Sequence, residues 1–329
     1  MKHGLKTVRT PHQISPPELT RYLNNRFDFG SDKAITREEV SNPYTKKDFL
    51  NDVYLSEEDY DRLYSLLIQK KNVILQGSPG VGKTYMAKRL AWSIMGNIND
   101  ERIKTIQFHQ SYSYEDFIEG YRPNKECSFD LVHGPLYEFC KKAEEDKNNS
   151  YFFIIDEINR GNISKIFGEL LMLIESDKRG SDHEMGLLYS KEEFSVPKNV
   201  YFIGMMNTAD RGLALIDYAL RRRFSFFSVE PAFESDGFKK EISKYKNDVL
   251  KKIVGCVKDV NRAIEEDESL GSGFKIGHSY FCEKNEDIPI EMWLYNIIHF
   301  DLVPLLKEYW FDDEKNRDYW SNELKRLVK

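Results

Sequence analysis

Residues 72–84 read Asn-Val-Ile-Leu-Gln-Gly-Ser-Pro-Gly-Val-Gly-Lys-Thr, an apolar run followed by a glycine-rich turn that ends in Lys-Thr. A buried strand that leads into such a turn places backbone N–H groups around the phosphates of a nucleotide. Residues 85–92 have the spacing of an amphipathic helix, whose positive dipole end would face the same anion. We therefore predict an α/β fold with a nucleoside triphosphate site. The residues predicted to contact the nucleotide are Gly77, Ser78, Pro79, Gly80, Val81, Gly82, Lys83, Thr84 and Tyr85.

A second buried strand is predicted at residues 151–155, and it ends in Asp156 and Glu157. A continuous apolar run is typical of a strand that is covered on both faces of a parallel sheet. Lys83 would bring a positive charge to the phosphates, while the Thr84 hydroxyl and the Asp156 carboxylate would hold Mg²⁺. Glu157 would polarise the attacking water, so we expect hydrolysis as well as binding.

A third strand is predicted at residues 200–206 and ends at Asn207, whose amide would orient water against the γ-phosphate. Further along, a predicted helix closes with three consecutive arginines at positions 221–223. Two interpretations of these arginines remain open. Arg222 and Arg223 could reach the γ-phosphate of a neighbouring subunit in a ring, where a rigid cation stabilises transition-state charge. Alternatively, the arginines could cap the carboxyl end of their own helix.

These elements occur in the order found in the AAA+ superfamily, which the sequence therefore resembles. Four strings are similar to the McrB family of restriction-system motors. They are IDEINRGN at 155–162, MNTADR at 206–211, DYALRRRF at 217–224 and GHSYF at 277–281. The similarity covers roughly residues 48–310. Asp210 lies within the second string, and on this resemblance we include it among the candidate catalytic residues.

The resemblance implies a parallel central sheet flanked by helices, with β-hairpin insertions and a small, mainly helical C-terminal lid. We expect an N-terminal arm at 1–47, a large nucleotide-binding domain at 48–231 and the lid at 232–329. The resemblance also implies a hexameric ring that hydrolyses GTP with Mg²⁺. Such a ring would act with a separate McrC-like nuclease subunit and would contact DNA through that complex.

McrB proteins of the well-studied type carry a DNA-binding domain ahead of the motor that recognises modified cytosine. Residues 1–47 are too few for that domain to be expected in them. The preference for GTP over ATP rests on the resemblance alone, because the sequence holds no Asn-Lys-x-Asp string. An ATP-dependent remodelling factor and a nucleotide-gated assembly switch therefore remain as alternatives. Glu157, Asn207 and the three arginines favour the hydrolysing motor.

Composition predicts a cytoplasmic protein. The four cysteines show neither a metal-binding nor a disulfide spacing. No apolar stretch approaches the ~18 residues that a membrane span needs, and no signal peptide is visible.

The net charge of −6 is unevenly distributed along the chain. Residues 1–47 hold nine Lys and Arg against five Asp and Glu, a surplus of +4, so the remaining residues carry a net charge of −10. An acidic body is a poor general surface for DNA. The basic arm is either a tail that packs on the motor or a DNA-binding element.

Two segments between the motifs are predicted to be insertions. The first begins at Phe108 and leads to a hairpin at 129–134, and its aromatic residues could stack on bases or pack against the sheet. The acidic residues among them favour packing. The second, 177–198, follows a predicted long apolar helix at 163–174.

His278 and Ser279, in the predicted lid, are interpreted either as neighbours of the nucleotide or as structural residues.

Overall fold

The computed structural model describes residues 42–209, 218–282 and 284–328. The strands, in chain order, are β1 Asn72–Gly77, β2 Ile103–Gln107, β3 Glu119–Pro123, β4 Phe129–His133, β5 Tyr151–Asp156, β6 Met185–Gly186, β7 Glu193–Phe194, β8 Val200–Asn207 and β9 Ser225–Ser228. The helices up to the last strand are α1 Lys46–Asp52, α2 Glu57–Lys70, α3 Lys83–Met95, α4 Tyr114–Phe117, α5 Pro135–Glu145, α6 Ile163–Phe167, α7 Leu170–Leu173 and α8 Tyr218–Arg223. The remaining helices are α9 Asp236–Lys244, α10 Asp248–Glu266, α11 Ile290–Asn296, α12 Val303–Tyr309 and α13 Glu314–Arg326, and a π-helical turn, Ile297–Leu302, joins α11 to α12.

The central sheet has five strands in the order β2-β5-β8-β1-β9, and every neighbouring pair is parallel. In this register Gly77 lies opposite Asn207, and Gln107 lies opposite Asp156. Because all five strands run the same way, their carboxyl ends share one edge, which is where ligands bind in open α/β sheets. The predicted parallel α/β sheet is therefore confirmed, and the ends of β1, β5 and β8 meet as expected.

Each face of the sheet has its own apolar core, because successive strand residues point to opposite faces. In β1, Val73 and Leu75 pack under α1, α2 and α3, whereas Ile74 faces the layer formed by α4 to α7. The predicted insertions lie in this second layer. The pair β3–β4 forms an antiparallel hairpin, and β6–β7 forms a much shorter one.

The predicted apolar helix at 163–174 is wrong, since the structure breaks it into α6 and α7. The break falls at Gly168, which has a φ of +52° that other residues rarely adopt. The ring of Tyr114 lies only 3.1 Å from the position that a Cβ of Gly168 would occupy. A second element was not anticipated as a strand: the apolar residues after the arginines form β9, which pairs with β1.

The predicted lid, residues 232–329, is mainly helical in its described part, as expected. The long helix α10 buries one face, whose members recur every three or four residues: Leu250, Ile253, Val257, Val260 and Ile264. They share an apolar core with residues of α9, α11, α12 and α13. No helix within the described ranges is both long enough and apolar enough to cross a membrane. The predicted domain boundaries stay a prediction.

A buried arginine, Arg179, donates hydrogen bonds to several separate segments near the start of β1. The guanidinium of Arg179 donates to the carbonyls of Ile174, at 3.0 Å, and Val200, and to Oδ1 of Asn72. The Asn72 amide nitrogen donates in turn to the carbonyls of Ile174 at 2.8 Å and Arg223 at 2.9 Å. Burial lowers the pKa of Arg179 to about 9, so it remains charged at neutral pH. We call these five residues the Arg179 network.

Candidate nucleotide-binding site

The phosphate-binding loop, residues 77–84, connects the end of β1 to the start of α3. Its backbone makes two turns through positive φ, at Gly80 (φ +76°) and Gly82 (φ +78°), where glycine carries no steric penalty. Gly82 is also the N-cap of α3, and no side chain caps this helix. A helix N-terminus that no side chain caps is the kind of helix end that binds anions, because its dipole and its backbone N–H groups favour negative charge.

Lys83, the first residue of α3, turns its ammonium group back toward the loop. Its Nζ lies 2.9 Å from the carbonyl oxygens of both Gly77 and Ser78, and 2.7 Å from Oδ1 of Asn207. These contacts place its charge at the edge where the strands end. That is the position a lysine needs in order to meet the β- and γ-phosphates of a bound nucleotide.

Asn207 links the lysine to the candidate base. Its Oδ1 accepts from Lys83, and its Nδ2 donates to Oε1 of Glu157 at 2.7 Å. The other carboxylate oxygen of Glu157 lies 3.1 Å from Nε of Arg160. The hydrogen bond from Asn207 therefore orients the carboxylate, and an oriented carboxylate is what a general base requires. Arg160 lies in one of the family-like strings, but no sequence pattern pointed to its contact with Glu157.

Glu157 also has an unusual backbone, with a φ of +50° and ψ of +44°. A residue other than glycine in this left-handed region is strained by on the order of 1 kcal/mol, and such strain is concentrated at functional sites. The conformation turns the chain sharply at the end of β5. Asp156 supports the turn, because its Oδ1 accepts from the Glu157 N–H at 3.0 Å.

Thr84 and Asp156, the predicted metal ligands, both offer oxygen. Thr84 is exposed on the first turn of α3, and Asp156 is half-buried at the end of β5. Within the described ranges, no group of three or more His, Cys, Asp or Glu could enclose a metal ion. A hard ion that keeps several waters and takes its remaining ligands from phosphates fits such a donor set, and Mg²⁺ is of this kind.

The GHSYF string of the lid packs directly on the phosphate loop. The Ser279 N–H donates to the Gly80 carbonyl at 3.0 Å. A Cβ on Gly277 would lie 2.0 Å from the carbonyl carbon and oxygen of Gly80, so only glycine fits there. Ser279 therefore contacts the phosphate loop, and a contact between Ser279 and the nucleotide stays a prediction.

The neighbouring His278 makes a structural contact. Its Nδ1 accepts from the Ala232 N–H at 3.0 Å, and its ring packs with those of Tyr54, Phe233 and Phe238. Burial lowers the pKa of His278 to about 4, so the ring is neutral at physiological pH. The sequence left its role open, and these contacts make it part of the joint between the lid and the large domain.

A cavity of about 500 Å³ adjoins the phosphate loop and was not anticipated from the sequence. It is walled by the segment that ends α1, by the loop and α3, and by the lid. Lining residues include Asp52, Tyr54, Val81, Gly82, Tyr85, Glu230, Glu241, His278 and Cys282. A nucleotide whose phosphates lie on the loop can extend its base into this cavity. No sequence motif marks Asp52 or Glu241, because they reach the cavity only through the fold.

The arginines at the end of α8 lie far from this edge of the sheet. The Arg223 carbonyl is bonded to Asn72, the first residue of β1, whereas the phosphate loop begins at Gly77. Five strand residues rise by roughly 16 Å, so the arginines lie near the opposite edge. Arg221 and Arg222 are exposed, while Arg223 is buried.

Glu175 holds two of these arginines. Its Oε1 lies 3.2 Å from Arg222 and 2.9 Å from Arg223. Arg222 keeps 68% of its side chain exposed, but only 8% of the Arg223 side chain is exposed. The sequence analysis assigns Arg222 and Arg223 the same possible role toward a neighbouring subunit. Their different exposure means that Arg222 can reach a neighbour and Arg223 cannot. Asp210, the remaining candidate catalytic residue, lies outside the described residues.

Two protein families match this chain. The family described as "AAA domain (dynein-related subfamily)" matches residues 72–224, which hold the phosphate loop and four of the five strands of the central sheet. The family described as "McrB, alpha-helical lid domain" matches residues 252–318, within the lid. The chain is also 48% identical over 289 residues to the "Type IV methyl-directed restriction enzyme EcoKMcrB subunit" of Escherichia coli K12, across 85% of this chain. The chain belongs to the AAA+ superfamily and is McrB-like.

This McrB-like chain spans 63% of the length of the E. coli protein. It is also similar to the "Type II restriction enzyme BsuMI component YdiS" of Bacillus subtilis, with 26% identity over 297 residues. That match covers 76% of this chain and 82% of the relative. Both relatives are described as parts of restriction enzymes, and the family resemblance drawn from the four strings is confirmed.

Proposed function

We propose that this chain is the ring-forming motor of a McrBC-like restriction system. It would hydrolyse GTP in preference to ATP and couple turnover to DNA translocation and cleavage with an McrC-like nuclease subunit. The observation that carries the proposal is that the phosphate-binding residues and the exposed arginines lie at opposite edges of the sheet. Lys83, Asn207 and Glu157 lie together at one edge of the sheet, while exposed arginines lie near the other.

The residues at the loop supply most of what phosphoryl transfer to water requires. Backbone N–H groups and Lys83 would bind the phosphates, and Thr84 and Asp156 would hold Mg²⁺. That ion, when bound, neutralises charge on the phosphate oxygens. Glu157 would take a proton from the attacking water, and Asn207 would keep the Glu157 carboxylate and the Lys83 ammonium in one geometry. The chain therefore has a binding site and a base in the same subunit.

A further cation for the transition state would come from a neighbouring subunit. A distance of roughly 16 Å along β1 prevents the arginines of α8 from serving their own phosphate loop. Exposed arginines at the opposite edge could meet the loop of the next subunit in a closed ring. The proposal now assigns this role to Arg221 and Arg222. Arg223 would instead support α8 through Glu175 and the Arg179 network.

The preference for GTP is tested by equilibrium binding. With Mg²⁺ present, GTP is expected to displace a fluorescent nucleotide at lower concentration than ATP, because the chain resembles a GTP-using family. Lys83→Ala should bind neither nucleotide, since the loop loses its cation. Equal affinities, or tighter binding of ATP, would contradict this assignment and favour an ATP-dependent remodelling factor.

The shared site is tested by mixing two inactive chains. Arg221→Ala/Arg222→Ala should bind nucleotide but hydrolyse it slowly, and Lys83→Ala should not bind it. In mixed rings, an intact loop on one chain can meet intact arginines on the next, so part of the GTPase activity should return. Arg62→Ala, which removes an exposed arginine on α2, is the control and should keep its own activity.

Two further observations decide the outcome of the mixing experiment. Wild-type activity per subunit should rise with protein concentration as rings assemble. Light scattering must show that the two variant chains assemble together. If they assemble and no activity returns, the arginines act within their own subunit or only cap α8.

A further inference from the structure

The cavity beside the phosphate loop is lined by three carboxylates, Asp52, Glu230 and Glu241. An ionised carboxylate only accepts hydrogen bonds. Guanine presents two adjacent donors, N1–H and the N2 amino group, from which a single carboxylate oxygen can accept together. Adenine presents one donor, its N6 amino group, beside N1, which is an acceptor. A carboxylate that faces the edge of the base therefore pairs with guanine and opposes adenine.

Asp52 differs from the other two in how firmly it is held. It ends α1, and its Oδ2 accepts from the Tyr44 hydroxyl at 2.8 Å and from Nε of Arg89 at 3.1 Å. Tyr44 is buried, and the Arg89 guanidinium lies 3.1 Å from the ring centre of Tyr85. Among the described residues, both hydrogen bonds to the Asp52 side chain fall on Oδ2. The carboxylate is thus fixed by one oxygen, and Oδ1 is left to accept from a ligand.

The carboxylates of Glu241 and Glu230 are each paired with a different lysine. Glu241 is paired with Lys244, three residues along α9, and Glu230 with Lys275 at 3.1 Å. Lysine is a point charge on a long flexible stem, so such a pair orients a carboxylate poorly. Glu230 also keeps 64% of its side chain exposed, where water competes with any ligand. Of the three, Asp52 has the preorganised geometry that discrimination between bases requires.

We propose that Asp52 is the residue that selects guanine, with Oδ1 of its carboxylate accepting from both N1–H and the N2 amino group. This inference rests on the proposed GTP-dependent function and deepens it. Asp52 lies 20 residues before the first residue matched by the AAA domain family, at position 72, so the motif-bearing part of the chain does not contain it. Base selection would then belong to the segment ahead of β1, and phosphate chemistry to the sheet.

The test replaces Asp52 by Asn and measures the dissociation constants of GTP, XTP and ATP. The Asn side chain keeps an oxygen for Tyr44 and Arg89 and turns an amino group toward the cavity. XTP carries an oxygen where GTP carries the N2 amino group, so it can accept from that amino group. GTP affinity should fall by on the order of ten- to a hundredfold, as for a lost hydrogen bond to a charged group, while XTP affinity rises.

Asp100→Asn is the matched control. Asp100 also accepts from two side chains of α3, Lys88 at 2.9 Å and Trp92 at 3.1 Å, but it does not line the cavity. Asp100→Asn should bind GTP, XTP and ATP in the same order of affinity as the wild type. Thermal unfolding without nucleotide checks that each variant is folded. If Asp52→Asn fails to fold, Tyr44→Phe tests the proposal instead. This variant removes one of the two hydrogen bonds that orient the Asp52 carboxylate. It should then narrow the preference for GTP over ITP, which lacks the N2 amino group.

Three results separate this inference from the proposed function. If the wild type prefers ATP, the proposed GTP-dependent function is wrong, and the inference fails with it. If the wild type prefers GTP but folded Asp52→Asn still prefers GTP to XTP, only the role of Asp52 is wrong. If Glu241→Gln shifts the preference to XTP and Asp52→Asn does not, the lid carboxylate selects the base, and this also overturns the proposal.

Discussion

Glu157→Gln is expected to bind GTP with near wild-type affinity and to hydrolyse it at least about a hundredfold more slowly. Gln has almost the same shape as Glu, and its amide oxygen can still accept from Asn207. It cannot take a proton from water, so the chemical step loses its base. The sharp turn at the end of β5 should survive, because it depends on the backbone of residue 157 and on the Asp156 carboxylate.

The measurement compares the equilibrium dissociation constant with single-turnover hydrolysis in assembled protein. A fall in turnover with unchanged affinity identifies a group that acts in the transition state. Glu138→Gln, which alters an exposed carboxylate on α5, serves as the control and should leave both quantities unchanged. Near-normal hydrolysis by Glu157→Gln would remove Glu157 from the role of base. A large loss of affinity would instead point to a role in holding the nucleotide.

Arg179→Met should lower the free energy of unfolding by about 3 kcal/mol or more. Met fills a similar volume but donates no hydrogen bonds, so the Val200 carbonyl and Oδ1 of Asn72 lose the buried donor. Each buried acceptor without a partner costs about 1–3 kcal/mol. Asn72 also bonds the Ile174 and Arg223 carbonyls, so its displacement would spread the effect to α8.

Urea unfolding followed by circular dichroism measures the change, as a shift of the midpoint at constant slope. Arg62→Met is the control, because Arg62 is an exposed arginine whose partners, Glu58 and Asp59, lie on the same helix. Its effect should stay within about 1 kcal/mol, as for exposed ion pairs. If Arg179→Met also stays within that range, the surrounding carbonyls have found water or other donors, and the network contributes little to stability.

The sequence predicted the chemistry of the phosphate edge because that chemistry depends on where strands end. Lys83, Glu157 and Asn207 each follow or end a strongly apolar run, and parallel strands bring their carboxyl ends together. The structure confirms the parallel sheet and joins these three side chains by hydrogen bonds of 2.7 Å. Their catalytic roles stay a prediction until turnover is measured.

The sequence did not predict contacts between distant parts of the chain. Asp52 lines the cavity, and Tyr44 and Arg89, which donate to its carboxylate, lie in no motif. Arg222 and Arg223 are adjacent in the sequence and both contact Glu175, but 68% of the Arg222 side chain and only 8% of the Arg223 side chain are exposed, a difference that no sequence pattern predicts. The apolar pattern at 163–174 was interpreted as one helix because spacing alone could not reveal the backbone turn at Gly168.

The bond from Ser279 to the Gly80 carbonyl makes the phosphate loop and the lid a single mechanical joint. Two further bonds join the Ile276 backbone to the Asn261 side chain of α10, at 2.9 Å and 2.6 Å. The 19 residues of α10 form a rod of about 28 Å. Asn261 lies about 20 Å along α10 from its first residue, Asp248, so a tilt of roughly 5° at this joint would move that end of the helix by roughly 1.7 Å. A small rotation of the phosphate loop would thus appear as a displacement at the far end of α10, well away from the loop itself.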